Sequence, residues 1–168
     1  DGVLGQANLT DLPQLSPTVA RISGPTGLAL EAPDRLWVAD AGHNRILGFD
    51  GASTLPNGGA ATLVLGQTNF TNTSGPSLQR LVGLSVAPDG ALWAAQGEAG
   101  VASRFLNPPN ATSDLAPTNR LGGEFLHEYE RVLPSAMAVD PTSGKLFVLE
   151  SEHHRILRYG NTAAMVDG

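Results

Sequence analysis

The chain has 168 residues and a mass of 17.4 kDa, which suits one compact domain or a few copies of a smaller unit. Apolar residues make up 41% and charged residues 15%, which excludes a charged, disordered chain. The net charge of −6 argues against nucleic acid as a partner, and no apolar run approaches the roughly 20 residues that a membrane helix needs. Because cysteine is absent, disulfides, thiol catalysis and cysteine-based zinc sites are excluded.

Four short sequence segments recur in order along the chain. Val3–Gln6 (VLGQ) returns as Val64–Gln67 and, more weakly, as Arg120–Gly123. The other three sets are Gly27–Leu30, Gly83–Val86 and Ala136–Val139; Leu36–Asp40, Leu92–Gln96 and Leu146–Glu150; and Asn44–Phe49, Gly100–Phe105 and His154–Tyr159. The order and the spacing of these segments indicate three copies of one unit.

Each copy predicts four short β-strands that are separated by turns. The first strand alternates large and small side chains, which is the period of a strand. The second strand is apolar on both faces, as in Leu36–Ala39, and therefore has to be covered on both sides. The VLGQ segment forms the fourth strand. The predicted first strands are 27–31, 83–87 and 136–140, and the predicted third strands are 45–49, 101–105 and 155–159.

Small four-stranded sheets that are covered on both faces are typical of a β-propeller. The segment 38–46, in which Val-Ala-Asp is followed by Ala-Gly-His-Asn and Arg-Ile, resembles an NHL repeat, and 148–156 is similar. The middle copy departs from this pattern. The resemblance implies an all-β propeller with three four-stranded antiparallel blades. The blades are expected at about 24–67, 81–123 and 134–168, the last completed by an outer strand at 3–6.

The resemblance implies little about chemistry, because NHL-like propellers include lyases, lactonase-like hydrolases, sensor domains and inert scaffolds. Two charged pairs flank equivalent hairpin loops, Asp40 with Arg45 and Glu150 with Arg155. The middle copy has an uncharged residue at both positions, so acid and base are replaced together. Joint replacement is what a local ion pair predicts, since one orphaned charge beside a packed sheet is costly. We therefore expect structural ion pairs, worth about 0–1 kcal/mol each if exposed.

Six of the nine aromatic residues recur at two strand positions, which indicates packing between blades rather than sugar binding. They are Trp37, Trp93 and Phe147, and Phe49, Phe105 and Tyr159. His43 and His153 lie in equivalent hairpins of different blades, which point apart around a ring. These two histidines cannot share an ion, and no metal site is predicted.

One polar cluster is not explained by the repeat. The candidate ligand-binding residues are His127, Glu128, Tyr129 and Arg131, in the connection between the second and third copies. Imidazole, carboxylate, phenol and guanidinium groups serve acid–base chemistry or cation binding, although a solvated polar loop has the same composition. No catalytic residue and no cofactor is predicted, and a divalent cation is left open.

The predicted function is non-catalytic: a secreted or surface-exposed scaffold or recognition module for a protein or carbohydrate. It would bind through its strand-four-to-strand-one connections, 7–25, 68–82 and 124–135, which we call the connection face. The alternative is a lactonase-like hydrolase or an amidating-lyase-like enzyme with axial carboxylates and a divalent cation. Glu31 and Asp140 end first strands and could supply such carboxylates, although their turns predict capping. Sequons at Asn8, Asn69, Asn72 and Asn110 fit secretion, or are ordinary turn residues.

Closed propellers have roughly 4–8 blades, and this sequence encodes three. The first strand that the sequence predicts is a fourth, outer strand, and the last is the third strand of its blade. We therefore expect Val3, Leu4, Gly5 and Gln6 of one subunit to complete blade three of a second, which gives a six-bladed homodimer. The competing outcomes are half of a longer six-bladed chain and a head-to-tail filament.

Overall fold

The computed structural model describes residues 2–10, 16–73, 78–97, 100–106, 108, 117–122 and 133–164. These residues form three antiparallel sheets, together with two single turns of 3₁₀ helix at Ala41–His43 and Thr162–Ala164. Within these ranges, no helix has the length and apolar character to cross a membrane. The predicted fold class, an all-β propeller of antiparallel blades, is confirmed.

The three sheets correspond to the three sequence copies. Blade one contains β1 (Pro25–Glu31), β2 (Arg35–Asp40), β3 (Arg45–Asp50) and β4 (Leu63–Leu65), paired in that order. Blade two contains β5 (Leu81–Val86), β6 (Leu92–Gln96), β7 (Val101–Phe105) and β8 (Asn119–Gly122). Blade three contains β9 (Ala136–Val139), β10 (Lys145–Glu150) and β11 (Arg155–Asn161).

Each turn between the first and second strands of a blade contains an aspartate whose carboxylate accepts hydrogen bonds. Asp34 accepts hydrogen bonds from the amide and the hydroxyl of Ser53. Asp89 accepts one from the Ala91 amide at 3.1 Å, and Asp140 accepts one from the Thr142 amide at 2.9 Å. Asp89 and Asp140 satisfy amides beside their own turns, whereas Asp34 satisfies an amide in the loop after β3.

The blades stack face to face with their first strands side by side. The Thr26 hydroxyl donates to the Leu81 carbonyl at 2.8 Å, joining β1 to β5. The Val139 amide donates to Ser85 Oγ at 2.8 Å, joining β5 to β9. The back face of blade one, both faces of blade two and the front face of blade three are therefore each covered by a neighbouring blade.

We call the side of a blade that faces the next blade in the chain its back face, and the opposite side its front face. The back face of blade one packs Trp37 and Ile46 against Leu84 and Leu92 on the front face of blade two. Trp93 and Ala102 on the back face of blade two pack in the same way against Val139 and Leu146 of blade three. The same contact is therefore made twice in the chain.

The two tryptophans at this contact have different polar surroundings. Trp37 Nε1 donates to Glu31 Oε2 at 2.7 Å, and the Arg35 guanidinium lies 5.5 Å from the centre of the Trp37 ring. Trp93 Nε1 is buried and has no acceptor among the residues that the structure describes. The blade-two position equivalent to Glu31 is Ala87, which cannot accept a side-chain hydrogen bond.

Replacement of each tryptophan by phenylalanine should therefore have unequal effects. Trp37→Phe removes a hydrogen bond to a carboxylate, a class of bond worth about 1.5–3 kcal/mol. Trp93→Phe removes a buried donor, which offsets part of the lost packing. We expect Trp37→Phe to lower the free energy of unfolding by about 1–3 kcal/mol more than Trp93→Phe does, as measured by urea denaturation. A larger loss for Trp93→Phe would contradict this difference.

In the single chain, Val3 has no regular structure and Leu4, Gly5 and Gln6 form bends, so the predicted pairing of Val3–Gln6 with blade three of a second copy stays a prediction. The Gly5 carbonyl accepts from the Ile22 amide at 3.2 Å, and the Val3 carbonyl accepts from the Gly58 amide at 3.0 Å. Leu4 packs into the apolar cluster on the front face of blade one. A strand needs a neighbouring strand, and within the described part of this single chain no third strand lies beside Val3–Gln6. Blade three accordingly has three strands there.

Candidate functional site

A buried polar cluster lies beneath the β2–β3 hairpin of blade one. Arg45 Nε lies 2.6 Å from Asp40 Oδ2, and His43 Nδ1 lies 2.9 Å from the same oxygen. The other carboxylate oxygen of Asp40 accepts the Ser23 amide at 2.7 Å. Asp40 and Arg45 are fully buried. The contribution of about 0–1 kcal/mol expected for an exposed ion pair therefore does not apply to this pair.

The Arg45 guanidinium also binds three backbone carbonyls. Its Nη2 donates to the Thr18 carbonyl at 3.0 Å and the Arg21 carbonyl at 2.7 Å, and its Nη1 donates to the Phe70 carbonyl. The side chain thus ties two connections to one hairpin. The polar groups of Asp40 and Arg45 are therefore bound within the fold, as buried polar groups usually are.

The equivalent cluster of blade three is more open. Glu150 accepts hydrogen bonds from Arg155 Nε at 2.5 Å and from the Leu133 amide at 2.7 Å, and His153 Nδ1 lies 3.4 Å away. The Arg155 side chain is 44% exposed, whereas Arg45 has no exposed surface. In blade two the charges are replaced by a neutral bond, in which Gln96 Nε2 donates to Ser103 Oγ at 3.0 Å.

Glu150 makes folding sensitive to acid. Burial alone would raise the pKa of Glu150, but hydrogen bonds from Arg155, the Leu133 amide and His153 outweigh it and hold the pKa below its ordinary value of 4.5. A carboxylate whose pKa is lowered by folding stabilises the folded state above the unfolded pKa, and this contribution is lost as the pH falls through the folded pKa.

We therefore expect wild-type protein to lose stability as the pH falls below about 4.5, and Glu150→Gln to lose less over the same interval. Urea denaturation at a series of pH values between neutral and acid measures both. The two proteins differ by one titrating group, so identical pH profiles would contradict this role of Glu150.

Two clefts lie along the connection face. The first has a volume of about 660 Å³ and is bordered by 3–7, 18–25 and 57–58. The second, which we call the interblade cleft, has about 430 Å³ and lies between blades two and three. Its walls are Arg80, Leu81, Val82, Gly97, Leu133, Pro134, Ser135, Ser151 and Glu152. Both clefts include residues of the predicted binding connections.

The candidate axial carboxylates are engaged in their own turns. Glu31 accepts from Trp37 Nε1 and, at 3.4 Å, from Arg35 Nη1. Asp140 accepts from the Ser143 hydroxyl and the Thr142 amide, which lower the pKa of its carboxyl group. No group of three histidine, aspartate or glutamate side chains that could hold a metal ion occurs in the described portion of the chain.

The structure leaves one predicted group untested. His127, Glu128, Tyr129 and Arg131 lie outside the described residues. Sequence reasoning missed the carbonyl partners of Arg45 and the walls of both clefts. The partners of Arg45 are backbone carbonyls, which every residue type has, and each cleft is lined by segments that are distant in the sequence, so no local side-chain pattern indicates them.

No family model matches the chain, and no curated protein matches it. Its fold is similar to that of two solved propeller-type structures. Virginiamycin B lyase from Staphylococcus aureus aligns with a TM-score of 0.46 and 13% identity, over 82% of this chain and 41% of that one. Hydrazine synthase from Kuenenia stuttgartiensis aligns with a TM-score of 0.48 and 12% identity, over 84% of this chain and 36% of that one. The chain therefore spans about two fifths of the length of these structures.

Proposed function

We propose that the chain is a non-catalytic scaffold or recognition module of NHL-like propeller blades, which acts outside the cell and binds a protein or carbohydrate. The observation that carries this proposal is the position of the two clefts. Both lie on the connection face, where loops of different lengths leave room between regular blades. The NHL-like pattern at 38–46 supports the assignment of the blades.

The interblade cleft has the chemistry of a site for a short peptide or sugar. Leu81, Val82 and Pro134 supply apolar walls, and Ser135 and Glu152 supply polar groups. A few polar groups around an apolar cavity orient a ligand while burial provides affinity. In the sequence, Arg131 of the predicted ligand-binding cluster stands two positions before Leu133, another residue of the cleft wall.

Binding to defined probes tests this function. A random peptide library on phage and an immobilised oligosaccharide array are screened with the 168-residue protein. The selected probe is then measured against Glu152→Trp, which places a large ring at the cleft, and Leu106→Trp, which lies outside it. We expect Glu152→Trp, and the joint alanine replacement of His127, Glu128, Tyr129 and Arg131, to weaken binding at least about tenfold.

Two results would overturn the proposal. The first is the absence of any binding probe, or binding that is equal in wild type, in Glu152→Trp and in the joint alanine variant. The second is a Ca²⁺ or Zn²⁺ ion found in a soaked crystal on the propeller axis, held by residues from several blades. That ion would favour the hydrolase or lyase alternative.

A further inference from the structure

The two end faces of the three-blade stack expose large apolar side chains. On the front face of blade one, Leu28 is 64% exposed, and on the back face of blade three, Ile156 is 67% exposed. The equivalent residues inside the stack, Leu84 for Leu28 and Ile46 for Ile156, are buried in the contact between blades one and two. Each end face is therefore one half of a contact that the chain already makes internally.

We propose that a second copy of this chain binds to both end faces, so that blade three of each copy packs against blade one of the other. The two copies then close a six-bladed ring with two-fold symmetry. Closed propellers have roughly 4–8 blades, and six is the one multiple of three in that range. This assembly does not depend on the proposed ligand, and it concerns different surfaces from the interblade cleft.

The position of the amino-terminal segment on blade one gives the most detailed evidence for this ring. Gly5 has a positive φ of 91° and lies against Ile22, and Gly66 has a φ of 82° and lies against Leu78. Ile22 and Leu78 each stand five residues before the equivalent glycines of β1 and β5. The segment that begins at Val3 is thus seated on blade one as the segment that begins at Val64 is seated on blade two.

The turns that follow confirm this equivalence. Asn8 Oδ1 accepts the Thr10 amide at 2.9 Å and the Thr10 hydroxyl at 2.9 Å. Asn69 Oδ1 accepts the Thr71 amide at 2.9 Å and the Thr71 hydroxyl at 3.0 Å. Since the second segment begins as the outer strand of the blade before blade two, the first occupies the place of an outer strand of a blade before blade one.

In the ring, the blade before blade one is blade three of the second copy. The last described strand of that blade is β11, and no strand covers its outer edge among the residues that the structure describes. An open edge of this kind recruits a further strand. Val3–Gln6 therefore becomes a strand on assembly, which explains why it keeps its contacts with blade one and lacks strand pairing in the single chain.

Two polar contacts of the internal junction predict contacts between copies. Gln67 Nε2 donates to the His43 carbonyl at 3.2 Å and the Asn44 carbonyl at 3.1 Å. Gln6 is the equivalent of Gln67, and the equivalent hairpin of blade three contains His153 and His154. His154 has the same left-handed conformation as Asn44, with φ of 51° and 53°. Gln6 of one copy is thus expected to bind the two histidine carbonyls of the other.

The second contact involves the exposed arginine of blade three. Arg45 donates to the Phe70 carbonyl, which lies three residues beyond Gln67. Leu9 lies three residues beyond Gln6, so its carbonyl occupies the equivalent place for Arg155. Assembly then buries a guanidinium that is 44% exposed in the single chain.

Site-directed disulfide formation tests this arrangement, because the chain contains no cysteine. Leu65 and Ile46 are opposite residues on β4 and β3, and the equivalent pair between copies is Leu4 with Ile156. Opposite residues of antiparallel strands have Cα atoms about 4.5–5.5 Å apart, which suits a disulfide. We expect Leu4→Cys and Ile156→Cys proteins, mixed and oxidised, to form a covalent dimer, and neither alone to do so.

A second variant separates assembly from folding. Leu28→Asp places a charge on the front face of blade one, and Leu106→Asp places one on blade two, away from both end faces. We expect both variants to fold, as judged by circular dichroism, and Leu28→Asp alone to be monomeric in sedimentation. No cross-link in the mixture, or a dimer that survives Leu28→Asp, would overturn the proposal. A chain that carries both Leu4→Cys and Ile156→Cys is expected to form covalent dimers on oxidation. Covalent species larger than dimers from this chain would overturn the closed ring.

Discussion

Replacement of Asp40 by asparagine is expected to lower the free energy of unfolding by about 3–5 kcal/mol. The guanidinium of Arg45 has no exposed surface and lies 2.6 Å from the Asp40 carboxylate. Asparagine keeps the size of the side chain and removes its charge, which leaves a buried cation without its counter-ion. A buried cation that loses its partner retains its desolvation cost, and this cost is the source of the expected loss.

The chain provides a closely matched control in Asp50→Asn. Arg35 Nε also lies 2.6 Å from its aspartate, but the Asp50 side chain is 46% exposed. Water screens that pair, so we expect the control to lose about 0–1 kcal/mol. Urea denaturation of the three proteins at neutral pH measures both differences. Equal losses for the two variants would show that burial of the Asp40–Arg45 pair does not determine its contribution.

The second large effect is expected from Gly27→Ala, at the closest approach of β1 and β5. A Cβ atom on Gly27 would lie 2.9 Å from the Gly83 Cα atom and 3.1 Å from the Leu84 amide nitrogen. Both neighbours are backbone atoms in a paired strand, so they cannot move without separating the two blades. Overpacking of this kind costs about 1–3 kcal/mol.

Gly83→Ala is the matched control, because Gly83 occupies the same position in blade two. A Cβ atom there would lie 3.6 Å from the Met137 amide nitrogen, which is an ordinary contact. Alanine also restricts the unfolded chain more than glycine does, so we expect a change between zero and a gain of about 1 kcal/mol. Thermal denaturation of both variants checks the comparison, and a greater loss for Gly83→Ala would contradict it.

The sequence predicted the strands well because each copy repeats the same local pattern. Large and small side chains alternate at Leu28, Ala29 and Leu30, and the equivalent residues of the other two copies form first strands as well. The pattern at Val3–Gln6 is that of a strand, yet the segment forms bends in the single chain. A sequence pattern shows which side chains suit a strand, and it does not show whether a partner strand is present.

The charged pairs illustrate the same limit at the candidate site. The spacing of Asp40 and Arg45, and their joint replacement in blade two, indicate a local contact. The burial of that contact depends on the carbonyl groups of Thr18, Arg21 and Phe70, which every residue type possesses. The difference between Arg45 and Arg155 arises from what covers each blade, which a repeat pattern alone does not encode.

The mass of the protein in solution tests the completion of the propeller most directly. Light scattering on the 168-residue chain, purified without tags, gives this mass independently of molecular shape. The end faces of blades one and three predict a particle of twice the 17.4 kDa chain mass, which persists on dilution to micromolar concentrations. A particle of 17.4 kDa over the same range, or a distribution of much larger species, would contradict the six-bladed ring.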